Sequence, residues 1–228
     1  MDMRTCRYAC RARREGIRLK MKKKILTCIV LMTTILATGC GMTAGGANES
    51  DGLATEEQIA AVKDALGDNM NELKFSVDGV VFQYPMTMQE MLDADWYLDS
   101  SVKNELKTLE GNTRTSGFVL RKNRSGEYGI TECSVVAGNE SSFEKEIGET
   151  DLYNLTFRRE KGMVLILPQG LTWDSTYEDV CEAYQPGADY RTDQDGILTI
   201  TFTNASYDGH LVMRFDAQTR ELSELKFY

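Results

Sequence analysis

From residue 55 onward the hydrophobic rhythm of the chain changes several times, and each change predicts an element. Thr55-Glu56-Glu57-Gln58 has capping-box spacing, and Ile59, Val62 and Leu66 follow at helical intervals before Gly67, so a short helix is expected. Leu73-Lys74-Phe75-Ser76-Val77 then alternates, Asp78-Gly79 interrupts, and Val80-Val81-Phe82-Gln83-Tyr84 resumes, the pattern of a two-residue hairpin. Pro85 ends that strand. Thr87-Met88-Gln89-Glu90 is a second capping box, with Met88, Met91 and Leu92 on one side of the helix it opens and Trp96 just beyond. Strands are predicted over 117–121, 129–136 and 152–158, separated by Gly, Asn and Ser turns. No helix-length pattern lies between them, so they are expected to pair antiparallel.

The remaining sequence repeats the scheme. A short apolar strand over 163–167 stops at Pro168, and Ser175-Thr176-Tyr177-Glu178 is a further capping box. Tyr177, Val180, Cys181 and Tyr184 then share one helix face, and Pro186-Gly187 ends the helix. Three strands follow over 197–203, 211–215 and 222–228. Leu198, Ile200 and Phe202, then Leu211, Met213 and Phe215, then Leu225 and Phe227 mark one side, as in one-sided antiparallel sheets. The fold class is α+β: two small modules, 55–160 and 161–228, each a short helix packed on an antiparallel sheet. The second is a helix on a three-stranded meander.

The first 54 residues follow a different pattern. Lys22, Lys23 and Lys24 precede a mostly apolar run from Ile25 to Ala37, which matches a signal h-region and falls short of the ~20 residues that span a bilayer. It carries no amphipathic stripe, and a small-residue stretch follows it. Residues 1–39 are therefore a signal region with translation expected to start at Met21, and 40–54, rich in Gly, Ala, Asn and Ser, are a flexible linker. Leu36-Ala37-Thr38-Gly39-Cys40 resembles the bacterial lipobox, with Thr38 in place of a commoner small residue. That resemblance implies cleavage between Gly39 and Cys40, with diacylglycerol on the Cys40 thiol and palmitate-type chains on the mature N-terminus. The protein is then expected on the outer face of a bacterial cell membrane. Each buried lipid CH₂ contributes ~0.8 kcal/mol, so two or three acyl chains anchor stably.

Charge sharpens this division. The chain of 228 residues has net charge −9, but residues 1–39 hold ten basic and two acidic residues while 40–228 hold sixteen and thirty-three. The exported part therefore carries −17, which disfavours nucleic acid and anionic surfaces and suits a basic protein or peptide partner. A hydrophobic content of 42% excludes a disordered chain. Arg4, Arg7, Arg11, Arg13, Arg14, Arg18 and Lys20 precede the signal and leave with it.

Two further patterns carry a family resemblance. The run Leu167-Pro168, Gly170, Trp173, Ser175 to Val180, Tyr184 and Pro186, with the closing meander, resembles the small module shared by the β-lactamase-inhibitor-protein-like fold and the outer-membrane-assembly small lipoproteins. Val77-Asp78-Gly79, Tyr84-Pro85, Thr87 to Leu92 and Trp96 resemble the leading module of surface lipoproteins of clostridial-type bacteria. Asp174 stands where the family has glycine, and Gln185-Pro186-Gly187 where it has Gly-x-Pro. The resemblance implies binding or scaffolding, inhibitor-like, and supplies no catalytic residue.

The chemistry-bearing residues point the same way. Cys133 and Cys181 are the only cysteines after Cys40, and buried thiols are favoured over one disulfide, because Cys181 falls on an apolar helix face. The single histidine, His210, could serve a thiol only if the fold brings it to Cys133 or Cys181. There is no Gly-x-Ser-x-Gly or His-Glu-x-x-His pattern, and one histidine falls short of the ligands a zinc site draws on. Asp193-Gln194-Asp195-Gly196 is read as a turn, since a calcium loop would place Arg191 and Phe202 where acids are needed. No cofactor, no metal and no catalytic residue is expected, and a protein partner is. The alternative is an envelope hydrolase with paired carboxylates, whose candidates are Asp93–Asp95 and Glu144–Glu146–Glu149. Asn123, Asn139, Asn154 and Asn204 open Asn-x-Ser/Thr patterns, taken as composition.

Overall fold

A computed structural model describes residues 53–124, 129–184, 189–192, 197–206 and 208–228. The chain divides into two compact units, and all the described residues belong to the second, Asn48–Tyr228. The signal region, Cys40 and most of the linker lie outside the described residues, as do Pro186-Gly187 and the turn at 193–196.

The architecture is α+β, in layers. The outermost layer is α1 (Glu56–Leu66), opened by the expected capping box: Thr55 Oγ1 accepts from Gln58 N, and Gln58 Oε1 accepts from Thr55 N. Val62 and Leu66 pack on Ile166 and Val81, which face outward from a small sheet ordered β10–β1–β2. Its strands are β1 (Lys74–Val77), β2 (Val80–Gln83) and β10 (Leu165–Ile166). The hairpin joining β1 and β2 turns on Asp78 and Gly79 with φ of 51° and 82°, the doubly left-handed pair that a two-residue type I′ turn requires. Alternation puts Phe75, Val77, Phe82 and Leu165 on the opposite side, where they enter the main core.

Beneath them lies a nine-stranded antiparallel sheet. Its strands are β3 (Tyr97–Leu98), β5 (Thr113–Arg114), β6 (Phe118–Asn123), β7 (Ile130–Asn139), β9 (Asp151–Arg158), β11 (Asp189–Thr192), β12 (Leu198–Thr203), β13 (His210–Phe215) and β14 (Leu222–Phe227). The order is β11-β12-β13-β14-β9-β7-β6-β3, with β5 beside β7. The expected meander thus gains a fourth strand, β11. Phe75 bridges the layers, with ring centroids 5.6 Å from Phe157 and 4.5 Å from Phe227, and Trp96 meets Phe157 edge-on at 5.8 Å. The opposite face carries cross-strand charge ladders. Arg121 pairs with Asp99 and Glu132, and Glu224 pairs with Arg158 and Arg214, contributing ~0.2–1 kcal/mol per pair.

Two expectations need correction. The boundary at 160/161 does not separate two modules: β9 pairs with β14, β10 pairs with β1, and both halves share one hydrophobic core. The third capping box is also displaced by one residue. Thr176 is the N-cap and Asp179 its partner, while Ser175 Oγ accepts from Thr172 N and Glu178 pairs with Arg220. The helix it opens, α4 (Tyr177–Ala183), does bury its predicted face, with Val180 fully covered and Tyr177, Cys181 and Tyr184 packed against the core.

The segment between the hairpin and the large sheet holds α2 (Met88–Asp93), entered through a cis Tyr84–Pro85 bond and capped by Thr87 and Glu90. After β3 comes α3 (Ser100–Glu105), N-capped by Asp99, with none of its own residues buried. A two-stranded ribbon, β4 (Thr108–Leu109) with β8 (Lys145–Glu146), completes the fold.

Candidate functional site

The residues singled out for chemistry do not converge. Gly39 and Cys40 lie outside the described residues. Cys133 is a free, buried thiol, and burial pushes it well up, which leaves it unreactive. Cys181 lies on α4, half-buried, in the electrostatic reach of Arg220. His210 occupies β13 with its Nδ1 2.9 Å from Thr203 Oγ1 and its ring against Tyr228. Strands β14 and β9 separate it from Cys133 on β7, a distance on the order of 15 Å at ~4.8 Å per strand. Asp93 accepts from Gln89 Nε2 at 2.7 Å, Glu144 accepts from Thr108, and Glu146 stands on β8. Among the described residues no group of three or more His, Cys, Asp or Glu is arranged to hold a metal ion.

A different site emerges at the end of the long strand β7. Asn139 is 1% exposed and its amide makes four hydrogen bonds. Its Nδ2 donates to Leu109 O at 2.9 Å and to Phe143 O at 2.7 Å, while its Oδ1 accepts from Ser141 N at 3.0 Å and Ser141 Oγ at 2.7 Å. The single Ser141 hydroxyl proton is shared between Asn139 Oδ1 and Phe143 O, Ser141 Oγ accepts from Phe143 N, and Asn112 N donates to Ser141 O. Gly111 lies so close below the loop that a Cβ there would sit 2.5 Å from Ser142 C. Residues 139–144 are therefore held by bonds from both sides. At the crest of this fixed loop stands Phe143, 78% exposed, the most exposed large hydrophobic side chain among the described residues.

Beside the loop is a polar cleft of about 380 Å³ lined by Asn112, Thr113, Arg114, Asn139, Glu140 and Tyr153. The Arg114 guanidinium lies 3.6 Å from the centroid of the Tyr153 ring, a stacked cation–π contact. Gly138 permits it, since a Cβ there would meet that ring at 2.4 Å. Partial burial, with a hydrogen bond to Glu140, raises the Tyr153 phenol, and Arg114 opposes the shift. One aromatic ring, one arginine and one carboxylate thus line the cleft. In the sequence these residues carry no catalytic or ligand motif beyond the Asn-x-Ser pattern of Asn139-Glu140-Ser141. The signal available was an Asn and Ser spaced to bond their own backbone, just before an isolated Phe. Comparison with family models, curated proteins and solved structures finds no match.

Proposed function

We propose that the protein is an exported lipoprotein, anchored to the outer face of the bacterial cell membrane through Cys40, which acts without catalysis by binding a protein partner. The observation that carries the reading is Phe143, exposed on a loop whose conformation is fixed before any partner arrives. Binding normally costs ~0.5–1.5 kcal/mol for each rotamer-rich side chain ordered, plus the cost of ordering the loop. Here the loop is already ordered, and an exposed aromatic side chain on a loop whose Asn139 and Glu140 also line the Arg114–Tyr153 cleft has the composition of an interface hot spot. The −17 charge of the exported part favours a basic partner. The resemblance to inhibitor-like and assembly lipoprotein modules points the same way.

The test is a benzophenone amino acid at position 143 of the full chain in cells. Illumination gives a discrete protein adduct that Arg114→Glu abolishes, whereas the same probe at Ile130, the exposed far end of β7, gives none. Absence of a discrete adduct at 143 refutes the proposed surface. Feeding the same cells an alkynyl palmitate labels the parent chain and leaves Cys40→Ala unlabelled; label persisting in that variant refutes the anchor.

A further inference from the structure

A second concavity, of about 530 Å³, lies on the other side of the β4–β8 ribbon. Its apolar surface comes from Leu92 at the end of α2, Leu98 on β3, Leu106 just after α3 and Ile147 just after β8. Thr108 and Glu146, paired across the ribbon, form one wall. Lys103 on α3 and Lys107 beyond its end complete the lining, with Lys107 tied to the ribbon because its carbonyl accepts from Ile147 N at 2.9 Å. Its volume falls within the roughly 300–1,000 Å³ of small-molecule sites, and its apolar lining with a few polar groups at the edge has their composition.

Charge identifies the occupant. The exported chain carries −17, yet the rim of this groove has two lysines against one glutamate. Neither lysine takes part in an ion pair with the described residues. A local charge of +1 above an apolar trough matches a ligand with one negative charge at the end of one hydrocarbon chain. A second negative charge would meet Glu146.

We propose that this groove binds a single-chain amphiphile with a carboxylate head, a long-chain fatty acid, with its chain along Leu92, Leu98, Leu106 and Ile147 and its carboxylate between Lys103 and Lys107. The wall formed by α3 suits entry of such a chain: the helix has no buried residue of its own and is held to the core through the half-buried Val102 and Leu106. Each methylene placed in the groove strengthens binding roughly fourfold, so chain length as well as charge governs affinity.

The proposal is tested on the full chain in its own membranes with a diazirine analogue of hexadecanoic acid, beside the same chain ending in an alcohol or an amine. Peptide mapping places the carboxylate label on segments containing Leu98, Leu106 or Ile147, at about tenfold the yield of the alcohol, the effect of one charge-assisted hydrogen bond. Lys103→Glu with Lys107→Glu lowers that yield about tenfold without changing the melting temperature, since both lysines are exposed. Glu146→Gln raises it. Leu106→Trp, which fills the groove from a half-buried position, blocks labelling, and its melting temperature reports separately whether the fold survives. Equal labelling by alcohol and acid, undiminished labelling of the doubly reversed chain, or label mapping elsewhere overturns the proposal.

Discussion

Asn139→Ala separates a preformed binding loop from one that merely happens to be folded back. The substitution removes four hydrogen bonds at a side chain 1% exposed; it leaves Leu109 O without its side-chain donor, while Phe143 O keeps Ser141 Oγ. A net ~1 kcal/mol per bond, discounted because the Phe143 end is reached by water, gives a loss of about 3 kcal/mol. For a unit of this size that is a fall of roughly 10 °C in Tm. Urea unfolding measures the loss. Hydrogen exchange at the Ser141 and Phe143 amides measures its locality, because those amides are tied to Asn139 Oδ1 and Ser141 Oγ. Phe143→Ala is the counterpart, shifting stability by no more than about 0.5 kcal/mol, since its side chain is already in water. Asn139→Asp adds a pH test. It keeps the acceptor for Ser141 but turns a buried carboxylate toward two carbonyls, which raises its folded-state pKa above the unfolded value of ~3.9. Stability is then greatest below pH ~3.9 and is lost as pH rises through the folded value. If Asn139→Ala costs under about 1 kcal/mol with unchanged exchange at Ser141, the loop is not held as described and the case for Phe143 as a fixed anchor fails.

Three other outcomes follow from the packing. Asp78 holds the hairpin to the residue just after β6 and the residue just before β10, accepting from Arg124 Nη2 at 3.3 and 3.4 Å and from Val164 N at 3.0 Å; the Arg124 side chain is only 9% exposed. Asp78→Asn, Arg124→Met and the double variant define a cycle with a coupling of about 1–2 kcal/mol by urea unfolding, and a coupling near zero shows the pair to be incidental. Gly138→Ala pushes the Tyr153 ring off Arg114 at a cost of about 1–2 kcal/mol by urea unfolding; a cost below about 0.5 kcal/mol refutes the close approach of ring and backbone. Tyr84 is pushed up to about 12, first by burial and then by the neighbouring Tyr153 and Asp208. Because its folded pKa exceeds the unfolded value of ~10, its contribution is intact below pH ~10 and is lost as pH rises toward 12. Tyr84→Phe accordingly flattens the alkaline limb of the stability curve.

The long strands were legible because each alternates on one face. Leu211, Met213 and Phe215 are all buried, as the period of two requires, and the Asp78-Gly79 turn sits where the sequence places it. What alternation cannot supply is the partner of each strand. Leu155 and Phe157 on β9 read as the end of one module, yet they lie beside Phe227 and Leu225 of β14, which read as the end of another. The displaced capping box shows the same limit. Ser175 and Thr176 both have an acid three residues on, and the choice between them is made by Leu222 N donating to Ser175 O and Tyr177 N donating to Arg220 O, contacts more than forty positions away. Strands of two residues such as β3, β4, β5 and β8 are too short to express any period.

That last limit bears on function. Phe143, the Arg114–Tyr153 cleft and the groove under Lys103 and Lys107 are built mainly from 97–114 and 139–153, and the sequence gives no strong pattern across most of those residues. A residue shows a period when a core face constrains it. One that is free of the core shows none, and is available to contact something else. Within 97–114 only Leu98 and Leu109 are buried, whereas β12 to β14 bury alternate residues almost without interruption. The nine-stranded sheet accordingly serves as the rigid support, and the short elements attached to its β3–β6–β7 end carry the surfaces proposed for binding. Stability variants belong in the alternating strands. Specificity variants belong where the pattern breaks down.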